Sequence, residues 1–134
     1  MSETTNSGLK TTSSWQRNGS GPKPTEGGEW VSGAALKSSS VPPANAVITT
    51  IDYWWDDDEL GDWADQVSVR LLLEAGTEQY YVDVSSPSES SVDLTSAGFP
   101  ANCTIWFQMK VGSCCTLYDP PYIMEDQVTV HYEY

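Results

Sequence analysis

From Glu29 onward, apolar and polar residues alternate in short runs, the period of a strand with one dry side and one wet side. In "AVITTIDYW" (46 to 54), Val47, Thr49, Ile51 and Tyr53 fall on one side, and Ile48, Thr50, Asp52 and Trp54 on the other. "QVSVRLLL" (66 to 73) gathers Val67, Val69, Leu71 and Leu73 on one face, and "QYYVDV" (79 to 84) aligns Tyr80, Val82 and Val84. Further on, "CTIWFQMKV" (103 to 111) aligns Cys103, Ile105, Phe107, Met109 and Val111, and "QVTVHYEY" (127 to 134) aligns Val128, Val130, Tyr132 and Tyr134. Weaker strand patterns occupy 29 to 37 and 91 to 95. No segment sustains a 3.6-residue period over ten positions.

The short Gly-containing connection "EAGTE" (74 to 78) predicts a hairpin between the second and third of these runs. Proline pairs at 42–43 and 120–121 mark loops, because proline cannot donate to a sheet ladder. Six or seven short strands with few helices predict an all-β fold, an antiparallel β-sandwich of jelly-roll-like type. Residues 41 to 73, about a quarter of the chain, resemble the opening strands of the P domain found beside proprotein-convertase catalytic domains. That likeness rests on general sandwich features and implies the fold class alone.

Residues 1 to 28 are mostly Ser, Thr, Gly, Asn and Pro, a composition with too little apolar area to fold alone. The predicted division is a flexible arm over 1 to 28 and a sandwich domain over 29 to 134. Leu9 and Trp15 stand out as anchors by which such an arm could dock on a neighbouring subunit.

Nineteen carboxylates against six Lys and Arg give a formal charge of −13. Such a field repels phosphate backbones and anionic bilayers, which argues against nucleic acid and charged membranes as partners. Cations, neutral sugars and protein surfaces stay open. The start "MSETTNSGLK" has no basic region followed by an apolar run, and no stretch nears the roughly 20 apolar residues of a membrane span. Synthesis in the cytoplasm without a classical signal peptide is the expectation, with release or export by another route still compatible.

"IDYWWDDDELGDWADQ" (51 to 66) is the most unusual stretch, with Trp54, Trp55 and Trp63 set among acidic residues. Three readings compete for it. A solvated acidic turn would discourage edge pairing between molecules. A calcium site could draw on Asp56, Asp58, Asp62 and Asp65, since calcium takes six to eight oxygens from flexible Asp-rich loops. The helical calcium-loop register started at Asp56 fails, however, with Leu60 in the fifth place and Val67 in the twelfth. In the third reading, Trp54, Trp55 and Trp63 stack on a sugar while Asp56, Asp58 and Asp62 bind its hydroxyls.

Catalytic signals are sparse. The single histidine, His131, falls on the wet side of its strand, and no nucleophile elbow, zinc-protease helix motif or phosphate loop occurs. The expectation is a protein that is not an enzyme. Cys103, Cys114 and Cys115 lack metal-ligand spacing, and a strand separates Cys103 from the other two. Free thiols fit cytoplasmic synthesis; a cross-link between subunits through Cys114 or Cys115 would suit a polymer. "NGS" and "NCT" match the N-glycosylation pattern by coincidence when no signal peptide directs the chain.

These features favour a non-enzymatic binding module that recognises a neutral surface ligand, carbohydrate above all, with or without calcium. The alternative is a self-assembling subunit of a fibre, capsid or secreted assembly that uses Leu9, Trp15, Cys114 and Cys115 to make homo-oligomers. A third reading is a receptor-binding toxin component.

Overall fold

Period-two alternation becomes two antiparallel sheets in the computed structural model, which describes residues 10–38 and 42–134. The strands are β1 (Thr12–Ser20), β2 (Val31–Ser32), β3 (Leu36–Lys37), β4 (Val47–Trp55), β5 (Val67–Ala75), β6 (Glu78–Asp83), β7 (Glu89–Asp93), β8 (Thr104–Val111) and β9 (Glu125–Glu133). One sheet has the order β1-β9-β4-β7; the other has the order β2-β8-β5-β6, with β3 also on β8. Two short 3-10 turns, Gly61–Gln66 and Thr95–Ala97, are the helical content of the described residues. Among the described residues no helix is long and apolar enough to cross a bilayer. The chain is thus an all-β antiparallel sandwich.

The predicted dry faces meet in one buried cluster. Ile48, Ile51, Tyr53 and Trp55 from β4 and Val128, Val130 and Tyr132 from β9 join Val69, Leu71 and Leu73 from β5 and Ile105, Phe107, Met109 and Val111 from β8. The β5–β6 hairpin forms as its turn residues predict, with Leu71 opposite Val82 and Ala75 opposite Glu78. Gly76 takes a left-handed φ of 61° in that turn, a conformation that costs glycine nothing.

One register differs from strict alternation. A bulge between Ile48 and Thr50 of β4 inserts Thr49 as an extra residue against β9. Ile48 is therefore buried with Ile51, and Thr49 is not part of the dry face. A bulge changes which side each residue faces without changing composition, so alternation alone places Ile48 on the wrong side.

The N-terminal arm is corrected more heavily. Residues 12–20 form β1 and pair with β9 along their whole length, from Thr12 opposite Glu133 to Ser20 opposite Glu125. Trp15 is 3% exposed in the chain's own core, and its indole N–H donates to the Ala101 carbonyl at 3.1 Å. A boundary at residue 28 therefore cuts through the sandwich. Leu9 lies outside the described residues. The segment after β1 packs back on the loop that follows β8: Gly27 N–H donates to the Cys115 carbonyl at 2.7 Å, and Leu117 N–H to that of Thr25 at 3.0 Å. A Cβ on Gly27 would sit 2.2 Å from the Cys114 oxygen, so only glycine fits that approach.

The cysteines also depart from expectation. Cys114 and Cys115 are bonded to each other in a disulfide, and Cys103 alone is free and buried. In that state neither exposed sulfur offers the thiol that a cross-link between subunits requires. Burial pushes the Cys103 thiol up to about 12, which rules it out as a thiolate nucleophile at neutral pH.

Candidate functional site

The acidic-aromatic stretch does not assemble one platform. Trp54 and Trp55 are consecutive on β4, so the pleat sends them to opposite faces. Trp55 is 3% exposed and its indole N–H donates to the Val84 carbonyl at 2.9 Å. It is a core residue, and its proposed stacking role falls. Trp54 lies on the outer face of the β1-β9-β4-β7 sheet, in a shallow cleft with Asp52, Glu89, Ser91, Gln127 and Thr129. Trp63 sits on the 61–66 turn, half-buried against the core, with its N–H donated to the Tyr118 carbonyl at 3.1 Å.

The carboxylates divide similarly. Asp56, Asp57 and Asp58 bring one oxygen each within 4.8 Å of one another, whereas Asp62 and Asp65 belong to the 3-10 turn and are not in that group. One oxygen of Asp56 already accepts the Asp58 N–H at 2.9 Å. Three such residues fall short of the six to eight oxygens that calcium takes.

His131 lies on the wet side of β9 as its register predicts, and it has a partner that alternation alone does not reveal. Its Nε2 is 2.8 Å from Oδ2 of Asp52, while the Ser91 hydroxyl donates to the other Asp52 oxygen. The Ser91 bond, ahead of His131, holds the Asp52 carboxyl below its ordinary range. A serine-activating relay needs the hydroxyl on the imidazole; here it is on the carboxylate instead.

Another carboxylate has no hydrogen-bond partner among the described residues. Asp126 points inward from β9, opposite Trp55. It is fully enclosed, and neither carboxyl oxygen has a hydrogen-bond partner. Burial first, and the neighbouring Glu125 charge second, push its pKa up to about 8.

The most constructed constellation lies on the outer face of the second sheet, built by register. Ser68, Arg70, Leu72 and Glu74 point outward from β5 because Val69, Leu71 and Leu73 point inward. Across β8 the matching outward residues are Lys110, Gln108, Trp106 and Thr104; across β6, Asp83 lies opposite Arg70 and Tyr81 opposite Leu72. Trp30, one residue before β2, covers the other flank.

Arg70 occupies the centre. Its Cζ is 3.9 Å from the Trp30 ring centroid and 4.2 Å from that of Tyr81, so the guanidinium is clamped between two rings. The Lys110 ammonium lies 5.4 Å from the Trp30 centroid. Arg70 Nε–H donates to Oε1 of Gln108 at 2.7 Å, and Gln108 Nε2–H donates onward to Ser32 at 3.0 Å. Gln108 is 9% exposed although it faces outward, because these side chains cover it. Asp83 does not neutralise Arg70: among the described residues no carboxylate forms an ion pair with a Lys or Arg side chain. Its Oδ1 accepts instead the Ser85 N–H at 3.0 Å and the Ser85 hydroxyl at 2.7 Å. Trp30, Ser68, Arg70, Tyr81, Asp83 and Ser85 enclose an open cleft of about 300 Å³, at the small end of ligand pockets.

The sequence did hold a signal for this face. Alternation over 66 to 73 already places Arg70 on the wet side, and the "EAGTE" hairpin brings Tyr81 beside it. Trp30 is the member that no local pattern gives, since β2 is two residues long.

No family model matches the chain, and no curated protein matches it. Among solved structures, the crystal structure of FLHE is similar, with a TM-score of 0.73 at 21% identity, over 92% of this chain and 98% of that one. A likeness at that identity supports the sandwich and its extent, and nothing about activity.

Proposed function

We propose that the chain is a non-enzymatic binding module for carbohydrate, with its platform on the outer face of the β2-β8-β5-β6 sheet. One observation carries this reading: Trp30, Tyr81 and Trp106 stand on one sheet face beside Arg70, Lys110 and Gln108. Sugars present C–H faces that pack on rings and hydroxyls that need side-chain donors and acceptors. Backbone groups within a sheet are consumed by its ladder, so side chains alone must supply the polar contacts, as they do on this face. Tyr81 is 49% exposed and open to a ligand.

The 51–66 stretch then has a different part. Trp55 helps hold the sandwich, Trp63 fixes the 3-10 turn, and the aspartates form a solvated acidic rim. Calcium has no role in this proposal. The assembly reading is less favoured, with Trp15 inside its own sandwich and Cys114 bonded to Cys115, while its other anchor, Leu9, lies outside the described residues.

Binding of the purified chain to an immobilised glycan library tests the proposal. Trp30→Ala and Trp106→Ala are each expected to weaken the best interaction about tenfold or more, the loss of one good aromatic contact. Trp54→Ala and added EDTA are expected to leave it unchanged. Binding abolished by Trp54→Ala or by EDTA, and indifferent to Trp30 and Trp106, would return the site to the acidic stretch.

A further inference from the structure

Resting on the carbohydrate reading, and narrowing it, we infer that the recognised unit is an acidic sugar whose carboxylate docks on the Arg70 guanidinium between Trp30 and Tyr81. The molecule's charge of −13 suggested a neutral ligand. The local field on this face is different: two of the six Lys and Arg residues, Arg70 and Lys110, flank the same ring. Long-range repulsion from distant carboxylates is screened beyond about 10 Å at ordinary salt, whereas contact charges are not.

The guanidinium is prepared for this partner. It lies against two rings, and Nε is spent on Gln108, which is itself anchored to Ser32. The two terminal nitrogens carry no hydrogen bond to any described residue. A planar fork with fixed orientation matches a carboxylate through two parallel N–H···O bonds. Partial shielding by Trp30 and Tyr81 lowers competition from water and strengthens the contact. Asp83, on the same cleft, engages Ser85 through Oδ1 and forms no ion pair with the guanidinium.

A peptide carboxylate shares that charge, but the surroundings disfavour it. Peptides held by sheet proteins take main-chain bonds from a strand edge, and this cleft lies on a face. Ser68 and the flanking rings fit instead the hydroxyls and C–H face of a hexuronate.

The experiment is calorimetric titration with a trigalacturonate, with its carboxyl-reduced neutral counterpart, and with a short peptide bearing a free C-terminal carboxylate. Wild type is expected to bind the uronate and to lose about tenfold in affinity on carboxyl reduction, a typical difference for a charged, bidentate pair. Arg70→Lys keeps the charge without the fork and is expected to show the same loss toward the uronate. Its far-ultraviolet circular dichroism is expected to be unchanged. Equal binding of the uronate and neutral trimers, weakened by Trp30→Ala, overturns the acidic-sugar assignment and keeps the carbohydrate reading. Tighter binding of the peptide overturns the assignment in favour of a protein terminus. Failure to bind any glycan overturns both.

Discussion

Replacing Trp15 with alanine is expected to destabilise the fold by about 3–5 kcal/mol, close to the whole stability of an ordinary domain. The indole is 3% exposed, and its N–H is committed to the Ala101 carbonyl. Alanine removes the packing, leaves a cavity and orphans a buried carbonyl. Urea denaturation followed by tryptophan fluorescence should show the midpoint fall sharply. Gln16→Ala is the control on the same strand: its side chain is exposed and bonds only to Thr129, so a shift within about 0.5 kcal/mol is expected. A Trp15→Ala protein with an unchanged midpoint and a lost oligomer would place residues 12–20 on a neighbour instead.

The second large effect has the opposite sign. Asp126→Asn is expected to stabilise the protein at pH 7 by an amount on the order of 4 kcal/mol, the free energy of protonating a carboxyl well above its unfolded pKa. In the folded state burial and Glu125 raise Asp126 to about 8; unfolded, it titrates near 3.9. The folded state therefore binds the extra proton between those values. Stability present below about pH 4 is lost as pH rises, and the loss levels off above about pH 8. Asparagine is nearly isosteric and cannot ionise. The gain over wild type should vanish near pH 4 and be greatest above pH 8. Melting temperatures of both proteins from pH 4 to 9 check this, and parallel curves would show that Asp126 is solvated in the folded state.

Much of the sandwich could be read from alternation, because burial on one side of a strand leaves a two-residue period. That worked for β5, β8 and β9, and for β4 beyond its bulge, where the inward residues are apolar. It failed for β1, where "TSSWQRNGS" offers one large apolar residue in nine. An edge strand that buries one indole gives no period to detect. The site was harder for a different reason. Composition drew attention to tryptophans adjacent in sequence, yet adjacency on a strand means opposite faces, as Trp54 and Trp55 show. Arg70, Trp30 and Tyr81 are brought together by strand register across three strands. Only the Arg70–Tyr81 half of that arrangement could be foreseen, from the hairpin.

Thr11 and Tyr134 exchange both backbone hydrogen bonds, at 2.8 and 2.9 Å, and Gln16 meets Thr129 across 113 residues of sequence. β1 thus has no ladder partner until β9 is made, more than a hundred residues later. Until then the sheet that carries Trp15 is incomplete, and at about 5–20 residues per second that interval lasts several seconds. Closure of the β1-β9-β4-β7 sheet is consequently gated by synthesis of its late strand. A nascent chain stalled before residue 125 should be open to protease and to holdase chaperones.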